Sequence, residues 1–189
     1  MATDTKTTLL NSAEQAARRR GYDGFSYADL AADVGITKAS IHHHFASKAA
    51  LSVALMQRYY ARLAAVAQEI DRDHATGAAR LSALIARYRG ALDEGQSLCL
   101  CVSFSTSTES LAAETIAEMD RFRMMMTGWL ATVFDLGRGD GTIAHVADPA
   151  AEAAATLPLL EGAQLAARVA QDTARFDAAL QVLAARLQG

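Results

Sequence analysis

At 189 residues, 51% hydrophobic and with two prolines, the chain can bury a sizeable helical core, and its composition excludes a disordered polymer. No charge-free run of eighteen apolar residues occurs, which excludes a membrane span, and the basic cluster Arg18-Arg19-Arg20 follows rather than precedes the first apolar positions, so the N-terminus does not read as a signal peptide. The net charge of −3 divides unevenly: residues 1–60 carry seven bases against five acids (+2), and the rest carries eleven against sixteen (−5).

A first helix is predicted over about Thr7–Arg20, with Leu9, Leu10, Ala13, Ala16 and Ala17 on its inner face. Phe25 to Lys48 then reads FSYADLAADVGITKASIHHHFASK. Ser26 is a good N-cap and Asp29 stands three positions on, approximating a capping box with Asp in place of Glu. Leu30, Ala31 and Val34 recur at helical spacing, and Gly35 supplies a left-handed helix end. Thr37 can cap a third helix with Ile41 and Phe45 facing inward, one turn apart, and Lys38, Ser40, His42 and His43 facing outward. Helix, glycine turn and helix with a polar outer face make a helix-turn-helix, whose second helix enters the DNA major groove. Ser47 can cap a long fourth helix that carries Leu51, Leu55, Tyr59, Leu63 and Val66 and reaches about Asp71.

Beyond the break at His74-Ala75-Thr76-Gly77, a fifth helix is predicted over about Ala78–Leu92 and a short sixth within Ser97–Ser107. A seventh spans about Ser110–Phe134, followed by a loop at Gly137-Arg138-Gly139-Asp140-Gly141. Asp148-Pro149 opens an eighth helix that runs to about Ala170, with Pro158 inside it expected to kink it or to remove a hydrogen bond. Asp172 caps a last helix bearing Phe176, Leu180, Leu183 and Leu187. Strand patterning is absent, so the fold class is all-α with about nine helices: a helix-turn-helix DNA-binding head over residues 1–50 and a helical body over 51–189.

The first sixty residues resemble the TetR family of bacterial transcriptional regulators. The matching residues are Arg20-Gly21-Tyr22, Gly24-Phe25-Ser26, Asp29-Leu30-Ala31, Val34-Gly35-Ile36-Thr37-Lys38, His42-His43-His44-Phe45 and Ser47-Lys48. Where the family often has Tyr, this chain has His42 or His43, which replaces phenolic phosphate contacts with imidazole ones. Without a signal peptide the chain is expected to stay in the cytoplasm. The resemblance implies a dimeric repressor whose residues 51–189 form an effector-binding and dimerisation body, in which an effector moves the fourth helix and respaces two recognition helices. It implies no cofactor, no catalytic residue and no membrane partner.

Candidate DNA-binding residues are Ser26 and Tyr27 toward the phosphate backbone, and Thr37, Lys38, Ala39, Ser40, His42 and His43 on the recognition helix. Lys48 is a further candidate, toward a phosphate. Ala39 can meet a thymine methyl, and Ser40 and His42 can reach base edges. Lysines are ordinarily solvated surface charges, and the motif around these two favours the functional reading. Adjacent helical histidines point about 100° apart and no Cys or acid sits at i,i+4 from them, so no metal site is expected.

Cys99 and Cys101 have apolar neighbours, which suits either ordinary buried thiols or a thiol sensor of electrophiles, as in some members of the resembled family. Phe122, Met125, Met126 and Trp129 are equally open between core and an adaptable effector pocket, with Met124 beside them and His145 and Glu161 as conceivable polar anchors. The expected partners are double-stranded operator DNA on a near-palindromic site, a second copy of the chain through the last two helices, and an unidentified small-molecule effector. Two other classes stand against this: a helical protein-interaction module without DNA binding, and a Cys/His helical enzyme. The enzyme lacks a phosphate loop or a paired-acid constellation, and the module has no use for a polar recognition face.

Overall fold

The computed structural model describes residues 5–187 and is all-helical: α1 (Thr5–Arg20), α2 (Tyr27–Val34), α3 (Lys38–His44), α4 (Lys48–Asp73), α5 (Gly77–Gly90), α6 (Leu100–Ser105), α7 (Ala113–Gly139), α8 (Pro149–Ala170), α9 (Ala174–Ala179) and α10 (Gln181–Ala184). A single 3-10 turn, Thr108–Ser110, precedes α7, and an isolated antiparallel bridge pairs Ile143 with Leu187. No helix among the described residues is long and apolar enough to cross a membrane.

The described chain forms two compact units, residues 5–60 with 100–121 and residues 61–99 with 122–187. The boundaries fall inside α4 and α7 and between Cys99 and Leu100.

The first unit is built on the inner faces anticipated from spacing. Leu9, Ala13, Ala17, Leu30, Ile41, Phe45, Leu51 and Leu55 are all buried. Tyr22 meets Phe104 of α6 edge to face, with centroids 5.5 Å apart, and Ser103 of α6 donates to the Ala17 carbonyl. Arg58 of α4 grips α1 by donating to the Leu10 carbonyl at 2.9 Å, to Asn11 at 2.8 Å and to the Glu14 carboxylate at 2.7 Å. Buried polar groups persist where they find such partners, and the Ser52 and Thr115 hydroxyls, 2.8 Å apart, are another example.

The second unit packs Leu81, Leu84, Tyr88, Phe122, Met126, Leu130, Val133, Phe134, Leu157, Leu160 and Phe176 into one core. Asp140 accepts from the Gly77 backbone N–H at 2.9 Å and the Thr142 hydroxyl from that of Ala78 at 3.0 Å, so orphan donors at the start of α5 are met from a distant loop. Arg80 binds Asp71 at 2.6 Å, Arg89 binds Asp177 at 2.7 Å and Arg186 binds Glu152 at 2.8 Å.

Two boundaries differ from expectation. Gly137 to Gly139, expected as loop, lie inside α7, where Gly137 serves close approach rather than turning: a Cβ there would overlap the Ile143 side chain. The single last helix expected after Asp172 is broken at Leu180 into α9 and α10, giving ten helices among the described residues rather than about nine. There the chain tightens into i→i+3 bonds (Leu183 N to Leu180 O, 3.0 Å), and Ala144 N reaches Arg186 O at 2.9 Å, drawing the chain end into the bridge. By contrast α8 runs unbroken through Pro158, whose side is exposed.

Candidate nucleic-acid interface

The local chemistry of Phe25–Lys48 folds as its sequence dictates. The Ser26 side chain accepts from Asp29 N and Asp29 accepts from Ser26 N at 2.7 Å, a complete capping box. These bonds hold the Asp29 carboxyl below the usual carboxylate range. Gly35 adopts φ 72°, and its N–H closes α2 onto the Ala31 carbonyl at 3.0 Å. Thr37 then caps α3, its hydroxyl accepting from Ser40 N at 3.1 Å.

With Ile41 and Phe45 buried, helical geometry assigns the outer face of α3. Lys38 and His42 share one line, Ala39 and His43 the next, and all four are exposed. Ser40 and His44 are half-buried on the flanks, and the rings of His43 and His44 meet edge to face at 5.5 Å.

Three candidates are tied into the scaffold. The Tyr27 hydroxyl donates to the Phe45 carbonyl at 3.0 Å, and burial pushes its phenol up to about 12. His42 places Nδ1 3.2 Å from the Ala46 carbonyl and meets the Tyr27 ring edge to face at 5.0 Å. The Lys48 ammonium is half-buried over the Tyr22 and Phe25 rings, at 4.5 and 4.3 Å, and donates to the Phe25 carbonyl at 2.5 Å. Burial pulls that ammonium below the ordinary lysine value, while Asp23 and Asp29 oppose the shift.

Sequence reasoning did not find the carbonyls of Phe25, Phe45 and Ala46 that orient these side chains. A backbone acceptor leaves no mark on residue type, so no pattern could have pointed to them.

The candidate sensor residues are distributed unevenly. Cys99 belongs to the second unit and Cys101 to the first, and both are buried and outside any disulfide. Phe122 and Met126 are core, Met125 is half-buried, and Met124, grouped with them by sequence, stands 70% exposed. Trp129 spends its indole N–H on Asp71 at 3.0 Å. Glu161 is buried and paired with Arg123 at 3.1 Å, whereas His145 is exposed at φ 60°. Burial raises the Glu161 carboxyl despite the guanidinium beside it. A groove of about 630 Å³ opens between α1 and α2, lined by Arg19 and Arg20 together with Asp29 and Asp33.

Residues 9–55 match the family model described as bacterial regulatory proteins of the tetR family. The chain is similar to the HTH-type transcriptional repressor NemR of Escherichia coli K12, 26% identical over 186 residues that cover 94% of this chain and 90% of the relative. Its fold is similar to that of a TetR-family transcriptional regulator from Agrobacterium tumefaciens, with TM-score 0.92, 28% identity and 98% of each chain covered. It likewise matches the reduced form of Escherichia coli NemR, with TM-score 0.83, 24% identity and 98% of each chain covered. A helix-turn-helix with a solvent-facing second helix, a matching family model and fold-wide likeness agree: residues 9–55 carry the tetR-family regulatory segment, and the chain as a whole is similar to TetR-family transcriptional regulators.

Proposed function

We propose that this chain is a DNA-binding transcriptional repressor that binds a near-palindromic operator as a homodimer and releases it when an effector is sensed outside the DNA-binding head. The observation that carries this reading is the outer face of α3, where Lys38, Ala39, His42 and His43 are exposed on a helix fixed by the buried Ile41 and Phe45. Ser26 and Tyr27 at the start of α2, Thr37 and Ser40 on α3 and Lys48 complete the contact set. Lys48 has three N–H donors, so the bond to Phe25 leaves others for a phosphate.

Dimerisation through α8 and the helices after it is supported by an apolar outward stripe. Ala151, Ala155, Gly162, Leu165 and Val169 recur at helical spacing on the exposed side of α8, with Leu165 42% and Val169 87% exposed, and Val182 of α10 is 61% exposed. A second copy would cover this stripe and place two recognition helices on half-sites roughly 34–36 Å apart, or a multiple of that.

For release, the effector must bind the non-operator conformation more tightly, since equal affinity for both shifts nothing. Cys99 or Cys101 supplies a thiol for an electrophile, and Phe122, Met125, Met126 and Trp129 supply soft apolar contacts for a small molecule. Both thiols are buried, so modification requires a local opening.

Fluorescence anisotropy with duplex DNA from beside the chain's own gene tests the reading. Salt-dependent binding that weakens in Lys38→Ala is expected, and absence of binding to any duplex tested overturns it. Light scattering should return twice 20.1 kDa, falling to the monomer mass in Val169→Asp. Release by an electrophile that is unchanged in both Cys99→Ser and Cys101→Ser removes the thiol route.

A further inference from the structure

The contact between His42 and Ala46 fixes more than a rotamer. A carbonyl oxygen only accepts, so the proton shared between it and Nδ1, 3.2 Å away, resides on Nδ1. A neutral imidazole carries one N–H, and Nε2 therefore holds a lone pair and acts as an acceptor. The two ring nitrogens point in diverging directions. With Nδ1 turned back onto the segment joining α3 and α4, Nε2 is directed away from it on an exposed residue.

The ring is also braced from the side. Tyr27 of α2 meets it edge to face, 64° from coplanar, and Tyr27 is anchored through its hydroxyl to the Phe45 carbonyl. Tyr27 thus orients the imidazole while its own hydroxyl is occupied.

One turn before His42 on the same line stands Lys38, a pure donor, and on the adjacent line lies the Ala39 methyl. The outer face of α3 thus presents a donor, an apolar group and an acceptor in fixed order. Major-groove base edges present mostly acceptors: guanine N7 and O6, adenine N7 and thymine O4. The donors there are the exocyclic amino groups, adenine N6 and cytosine N4, and an acceptor side chain can pair only with these.

Resting on the reading of α3 as the groove-entering helix, we propose that His42 is a specificity-determining residue that reads an exocyclic amino group, adenine N6 or cytosine N4, as a hydrogen-bond acceptor through Nε2. Each half-site then contains one step at which the contacted strand carries A or C and excludes G and T. The loss of one neutral hydrogen bond corresponds to about a 3- to 10-fold change in affinity at that step.

The test is selection of the full chain, at pH 8, on random duplex DNA, run in parallel for wild type, His42→Ala and His42→Lys. Affinities for single-base variants of the selected site follow. Wild type should enrich a site with one A-or-C step per half-site, and adenine against cytosine at that step identifies which amino group is read. His42→Ala should lose that restriction and keep the others, and His42→Lys, donor only, should turn the same step toward G or T. Long-range ¹⁵N–¹H spectra of the histidines, which need no DNA, should show the His42 proton on Nδ1. A proton on Nε2, or on both nitrogens in the complex, overturns the proposal, as does a base preference unchanged in His42→Ala. If wild type enriches no sequence while the spectra still show the Nδ1 proton, the groove-entering reading fails and this proposal falls with it. Enrichment of a site without an A-or-C step leaves that reading standing and overturns the proposal alone.

Discussion

The Lys48 ammonium donates to the carbonyl of Phe25, so the start of α4 is fastened to the residue just before the N-cap of α2. With the Tyr22 and Phe25 rings beneath it, this lysine has a structural task as well as a proposed phosphate contact. Lys48→Met keeps the stem and removes the charge, and should lower the unfolding free energy by about 1–2 kcal/mol in urea melts. Lys38, exposed on α3, separates the two tasks. Lys38→Ala should change stability by less than about 0.5 kcal/mol yet reduce the salt slope of operator binding by about one.

The capping box at the start of α2 makes a pH-dependent contribution. Asp29 is held below the usual carboxylate range by its bonds to Ser26, so its folded value lies under its unfolded one. The sign follows: its stabilisation is present above the unfolded value and is lost as pH falls through the folded one. Thermal melts from pH 6 down to pH 2.5 should show wild type losing stability below about pH 4 and Asp29→Asn losing less over the same window. Ser26→Ala should cost about 1 kcal/mol at neutral pH.

Glu161 behaves in the opposite sense. Burial raises its carboxyl, Arg123 only partly offsets this, and among the described residues Oε1 meets no hydrogen-bond donor. A raised folded value means a contribution that is complete below the unfolded value and lost as pH rises through the folded one. Glu161→Gln should therefore be as stable as wild type or more so at pH 7.5, an advantage that fades toward pH 4. Arg123→Ala, which leaves the carboxylate without its cation, should lower stability by about 1–3 kcal/mol at pH 7.5.

Two helical glycines should respond in opposite directions to the same substitution. A Cβ on Gly77 would overlap the Gly137 backbone, which has no side chain to move aside. Gly77→Ala should cost about 3 kcal/mol. Gly128 on α7 has open space around its Cα, so Gly128→Ala should gain about 0.5–1 kcal/mol from helix propensity. Circular dichroism melts of the two variants check both signs.

Most of the architecture was legible because helix caps and apolar periodicity are local. Ser26, Gly35, Thr37 and the Asp148-Pro149 start all act within four residues, and each stands where spacing put it. Elements went astray where distant contacts decide. Gly137 reads as a turn residue until Ile143 is seen to need its missing Cβ, and Leu180 reads as mid-helix until the Ile143–Leu187 bridge draws the chain end inward. On the interface, periodicity separated the exposed Lys38 and His42 from the buried Ile41, yet the carbonyls that aim Tyr27, His42 and Lys48 belong to the tertiary fold. In the second unit composition alone could not tell Met124 from Met126, because whether a methionine is core or surface depends on the helix's rotation, here 70% exposed against 1%.

Trp129 is the single tryptophan of the chain, and its indole is bonded to Asp71 near the end of α4. The protein thus carries a built-in optical probe of one joint, where α4 meets α7. An effector that displaces the last turns of α4 would break or stretch this bond and alter the indole's surroundings. Intrinsic emission would then follow the regulatory movement directly, with no label attached and no DNA present.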